Sequence, residues 1–125
     1  MIQSYIQKVE HEKILTLAGQ VEIQKGQVVS KTLAQNKAVS ITVFAFDKHE
    51  EIGSHDSDGD AMVTVLEGTG KFTVDGKDYI LNKDETLIMP AKKPHSVYAE
   101  EAFKMLLVVV FPLENSKEEQ QNENM

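Results

Sequence analysis

From Val21 to Phe111 the chain is cut into short runs, each closed by a turn signal. Many of the runs alternate apolar with polar side chains or are rich in β-branched and aromatic residues. A period of two is the mark of a strand with one buried face, and runs this short cannot supply a helical core. The runs fall at residues 21–23, 28–33, 39–46, 61–67, 71–74, 78–81, 86–89, 95–99 and 103–111. Between them stand Gly26, Gln35-Asn36-Lys37, Gly68-Thr69-Gly70, Asp75-Gly76 and the pair Pro90 and Pro94. Asp-Gly between two alternating runs is the strongest short hairpin signal in the chain. Nine or so such strands predict an all-β sandwich or barrel. Two stretches read differently. Residues 12–18, ended by Gly19, predict one or two helical turns with a glycine cap. Residues 47–60 are polar, rich in turn formers and carry His49 and His55, which predicts a loop. The organisation expected is an N-terminal arm over 1–20, a barrel over 21–113 and a polar, disordered tail over 114–125.

Composition removes many functions. At 125 residues the chain is one domain's worth, large enough to build a core without covalent staples. It has no cysteine, so disulfides, thiolate metal sites and thiol nucleophiles are excluded. Its 13 basic residues, all lysine, face 20 acidic ones, for a net charge of −7. Without Arg or Trp, nucleic acid and anionic membranes are poor partners. The charged N-terminal segment MIQSYIQKVEHEK has no apolar signal core, and a cytoplasmic location is expected. There is no serine elbow, phosphate loop or dinucleotide fingerprint. Asp56, Asp58, Asp60 and Glu67 fall at the spacing of a calcium loop, but Ala61 stands where its glycine belongs and the second half is a strand pattern. A solvated turn is the better account.

Two further runs carry a resemblance. One is Gly53-Ser54-His55-Asp56-Ser57-Asp58-Gly59-Asp60-Ala61, continuing to Val65-Leu66-Glu67-Gly68. The other reaches from Asp84 through Pro90 and Pro94-His95 to Ala99. Together they resemble the two motifs of the cupin superfamily, in particular its small single-domain conserved-barrel members. The resemblance spans roughly Val39 to Phe111. It implies an all-β double-stranded β-helix, the jelly-roll barrel. It also implies one divalent transition metal, Mn, Fe, Ni or Zn, held by His55 and His95. The chain departs from the pattern elsewhere. Ser57 stands at the second histidine, Ala61 at the glutamate with Asp60 one residue earlier, and Ala99 at the asparagine. Asp84 and Lys92 stand at two glycines. A hard cation wants an oxyanion beside the imidazoles. Asp60 could supply it if the strand shifted register, since one residue of offset turns a side chain to the other face. Asp58 could supply it if its loop folded inward, and water with a bidentate substrate is a third route. The tentative metal set is His55, His95 and Asp60.

If His55 faces inward as the resemblance implies, alternation turns Ala61, Val63 and Val65 the same way, and Val97 and Ala99 with His95. The expected ligand-contacting residues are His55, His95, Ala61, Val63, Val97 and Met105. The last run is apolar on both faces, which favours a homodimer. His11, His49 and Lys92-Lys93 read as surface residues, and Tyr98 points away from His95. The function expected is binding of a small, partly apolar molecule. The alternative is a metal-dependent enzyme of dioxygenase, isomerase or decarboxylase class.

Overall fold

The computed structural model describes residues 4–113; the polar tail over 114–125 lies outside the described residues. Among the described residues nine strands form two antiparallel sheets. The larger sheet has the order β1 (Val28–Gln35), β2 (Val39–Phe46), β9 (Phe103–Val110), β4 (Asp60–Glu67), β7 (Thr86–Met89). The smaller has the order β3 (Glu51–His55), β8 (His95–Tyr98), β5 (Thr69–Val74), β6 (Lys77–Asn82). Most successive strands after β2 switch sheets, and the two sheets close on each other as a jelly-roll barrel.

Local chemistry sets the corners. The Asn36 side-chain oxygen accepts the amides of Ala38 at 2.8 Å and Val39 at 3.0 Å, fixing the β1–β2 turn. Asp75 and Gly76 both take left-handed backbone, φ 50° and 82°, as a two-residue hairpin requires. β2 and β9 pair over their full lengths, Val39 with Val110 through Phe46 with Phe103. Between the sheets pack Phe46, Phe72, Phe103, Met89, Met105, Val63 and Val65, all fully buried. Phe46 stacks on Phe103 with ring centroids 4.7 Å apart, and Phe72 meets Phe103 edge-on. Gly70 is where these rings come closest to backbone: a Cβ there would lie 2.7 Å from Phe103 Cε2.

A second cluster lies on the outer face of the larger sheet. Val21, Leu33, Val43 and Ala45 are buried there beneath Val9 and Leu17 of the N-terminal segment. Lys104 Nζ donates to the Ala18 carbonyl at 2.8 Å and ties that segment to β9.

Three expectations need correction. Residues 12–18 are not helical, and only a single 3-10 turn forms, over Ala18–Gln20, with Gly19 inside it. Glu12 has φ 56°, which an α-helix does not accommodate, and Leu17 is bound to the sheet instead. Residues 21–23 are not a strand, because Val21 alone turns inward as an anchor under the segment. Residues 47–60 are not all loop, since β3 occupies 51–55 and β4 begins at Asp60. β3 is solvent-facing along most of its length, and its ladder with β8 shifts register between Ile52 and His55. It therefore shows no alternation to read.

Candidate functional site

The end of β3 and the start of β8 place His55 and His95 directly opposite each other. The rings meet edge to face, centroids 4.3 Å apart and planes at 66°. His95 is buried and His55 exposed. Each ring is held by a backbone carbonyl two residues earlier in the chain. His55 Nδ1 donates to Gly53 O at 3.0 Å, and His95 Nδ1 to Lys93 O at 3.3 Å. A carbonyl can only accept, so in the neutral rings the proton sits on Nδ1, and each Nε2 lone pair has no partner among the described residues. Burial pushes the His95 pKa below the usual histidine value, and the neighbouring His55 adds to this. The Lys93 carbonyl and the Asp56 carboxylate oppose it.

The loop over residues 90–94 that delivers His95 is clasped on several sides. Lys92 N–H donates to Ser57 O at 2.7 Å, Ala91 N–H to Asp60 Oδ1 at 2.8 Å, and Asp75 N–H to Pro94 O at 2.8 Å. Lys92 and Asp84 have φ of 66° and 71°. These are the two positions where the resemblance expects glycine, and the backbone keeps the glycine-like conformation without the residue.

Asp60 is the loop's clasp. Its carboxylate is exposed and bound to the Ala91 amide, while Ala61 beside it faces the core. Alternation along β4 separates the two, and the strand keeps its register with β9 from Asp60 to Val65. Asp58 is exposed as well. Among the described residues no three His, Cys, Asp or Glu side chains gather as a metal-holding group. The donors brought together are thus two imidazoles, one short of the oxyanion that Mn or Fe wants. A resident hard cation does not fit this set.

Ala61, Val63, Val97 and Met105 all face the interior and are buried in one cluster with Phe46, Phe72, Met89 and Phe103. They form packed core inside the barrel that bears the histidines. His49 is engaged outside the barrel, where its Nδ1 lies 3.0 Å from Tyr98 Oη. His11 Nε2 donates to Ile6 O. One neighbour of the site escaped sequence reasoning. Cross-strand pairing runs from His55 to His95, then Val74, then Lys77, in a single row. Only the register of three ladders across four strands shows that Lys77 shares this row.

Fold and site together define a double-stranded β-helix barrel with a paired-histidine rim. The cupin domain family matches residues 42–111. A conserved protein of unknown function from Streptococcus pyogenes is 50% identical, with a TM-score of 0.87 over 89% of this chain and 97% of its own. A cupin superfamily protein from Desulfitobacterium hafniense is 29% identical, with a TM-score of 0.83 over 87% of this chain and 100% of its own. A cupin 2 conserved barrel domain protein from Leptotrichia buccalis is 47% identical, with a TM-score of 0.76 over 77% of this chain and 47% of its own. The chain belongs to the cupin family. No curated protein matches it. Among the described residues no helix is long and apolar enough to cross a membrane.

Proposed function

We propose that this cupin binds a small, partly apolar molecule whose polar head meets His55 and His95. The observation that carries the reading is the pair of carbonyl-anchored imidazoles with both Nε2 lone pairs unspent. Anchoring one ring nitrogen fixes the orientation of the other, which is how proteins prepare histidine for a ligand or a metal. Ala61, Val63, Val97 and Met105 are packed core behind the pair, so the ligand's apolar part reaches them only if the barrel mouth opens.

The second reading is the metal-dependent enzyme of dioxygenase, isomerase or decarboxylase class. It draws on the same two Nε2 atoms, and needs an oxyanion from substrate or from a moved Asp60. The test is mass spectrometry of what the untagged protein carries, beside His55→Ala and His95→Ala. A small organic molecule retained by the native chain and lost in both variants supports the binding reading. Near-stoichiometric Mn, Fe, Ni or Zn lost in both variants replaces it with the enzyme. Identical contents in all three proteins, after loading with the four metals as well, remove the histidine pair from the function.

The binding reading includes a cytoplasmic homodimer. On the outer face of the larger sheet Ile41, Val108 and Met62 form one cross-strand row, and Val39 and Val110 pair in the next. Met62 is 38% and Val110 59% exposed. An apolar patch of this kind on a sheet face suits a second copy. Sedimentation equilibrium should give a dimer that Val108→Asp dissociates; a monomeric native chain would contradict it.

A further inference from the structure

The two sheets part along one side of the barrel. β6 is the last strand of one sheet and β7 the last of the other. Between them lies a cleft of 330 Å³, within the size range of small-molecule sites. Its walls include Val74, Leu87, Ile88 and Pro90, and its polar groups are Lys77, Lys93, Tyr79 and Asp75. Val74, Tyr79 and Leu87 also belong to the interior packing, so the cleft's back wall is firm core.

The charges in the cleft are unbalanced. Lys93 Nζ sits 3.8 Å from Asp75 Oδ2, a long and exposed ion pair. Lys77 has no acidic partner among the described residues; its Nζ lies over the Tyr79 ring, 5.3 Å from the centroid. A chain with net charge −7 thus keeps two ammonium groups and one carboxylate beside an apolar wall. Ammonium groups serve as point charges, without the fork that reads phosphate in two directions. The apolar walls ask for a hydrocarbon body.

We propose that the cleft between β6 and β7 binds a small organic carboxylate with an apolar or aromatic body. The carboxylate lies between Lys77 and Lys93, and the body covers Val74, Leu87 and Pro90. The cleft adjoins the histidine pair without sharing its ring nitrogens: the buried Val74 lies between Lys77 and His95 in the cross-strand row, and Lys93 meets His95 through its backbone carbonyl, not its ammonium. It holds whether or not the histidines bind anything.

The experiment is a titration of the full chain with phenylacetate, followed by amide chemical shifts. Saturable shifts are expected at residues 74–79 and 87–93. Lys77→Gln should weaken the affinity about tenfold, the loss of one charge-assisted contact. Phenylacetamide, which keeps the ring and lacks the charge, should bind about tenfold more weakly too. His55→Ala, at an exposed ring that does not touch Lys93, should still give saturable phenylacetate shifts at residues 74–79 and 87–93. An unchanged urea midpoint for Lys77→Gln shows that the variant is folded. Several results overturn the proposal: no saturation in the millimolar range, equal binding of the amide, inorganic phosphate binding as well as phenylacetate, or a loss of binding in His55→Ala with Lys77→Gln unaffected.

Discussion

Phe103 closes the barrel interior, and removing it should be costly in a way that can be apportioned. The ring is 1% exposed, stacked on Phe46 at 4.7 Å and 12°, and edge-on to Phe72 at 6.1 Å and 81°. Truncating a buried phenylalanine to alanine costs about 3–5 kcal/mol, and each aromatic pair lost adds about 0.5–1.5 kcal/mol beyond area. Phe103→Ala should therefore fall near the top of that range, about 4–5 kcal/mol. That is a large share of the roughly 5–15 kcal/mol that holds a domain folded. The milder Phe103→Leu should cost about 1–2 kcal/mol. Gly70 provides a cross-check. A Cβ there would stand 2.9 Å from Phe72 Cε2, and 2.7 Å from Cε2 and 2.9 Å from Cζ of Phe103, so Gly70→Ala overpacks the site and leucine at 103 relieves only part of it. Overpacking costs about 1–3 kcal/mol. Leucine lacks those two ring atoms, so the double variant should be less destabilised than the sum of the singles by about 1 kcal/mol. Urea unfolding by fluorescence and circular dichroism, with m-values compared, measures all four chains. Additivity within about 0.3 kcal/mol, or a cost below about 1 kcal/mol for Phe103→Ala, would refute the packed interior.

Three further outcomes follow from the histidine site. His95 is held below the usual histidine value of 6.5, chiefly by burial. As pH drops below 6.5 the unfolded chain therefore takes up the proton first. Stability should fall with pH until the folded-state pKa is passed and then level off, and thermal melts from pH 8 to pH 4 should show this part of the slope missing in His95→Gln. Asp60→Ala frees the Ala91 amide, and should cost about 1 kcal/mol and shift the His95 ring resonances, whereas Asp60→Asn keeps an acceptor and should do less. Lys92→Gly should raise the urea midpoint modestly, because left-handed backbone costs a non-glycine residue about 1 kcal/mol, partly offset by glycine's freer unfolded state; a lower midpoint would contradict it.

The sheet strands were legible wherever a residue's burial repeats in twos. β4 alternates from Asp60 onward, β5 throughout, and Asp75-Gly76 announces the hairpin between β5 and β6. β3 was not legible, because its partners are backbone groups of β8 and its side chains mostly face solvent. The N-terminal segment misled, since Gly19 after residues 12–18 reads as a helix cap. Leu17 instead joins the sheet's outer cluster, while Ile14 is fully exposed. At the site, the motif positions of His55 and His95 sufficed to pair them. The role of Asp60 needed coordinates, because a carboxylate that clasps an amide and one that awaits a cation look alike in a sequence. Lys77 needed them too, being two strand crossings away from His95.

The tie between Lys104 and the Ala18 carbonyl spans 86 positions of sequence. Its consequence is temporal. During synthesis the segment that carries Ala18 leaves the ribosome first, yet both Lys104 and Leu106, against which it rests, belong to the last strand. The segment's bonds to β1, from the Gln7 amide to Leu33 O and from Lys31 to Gln20, can form early, but its tie to β9 waits for the barrel's last strand. Until then the cover over Leu33, Val43 and Ala45 lacks the Lys104 and Leu106 that fasten its far side. The segment behaves as a seal applied at completion, so chains halted before residue 103 should be cut by protease between residues 9 and 21, and finished chains should resist.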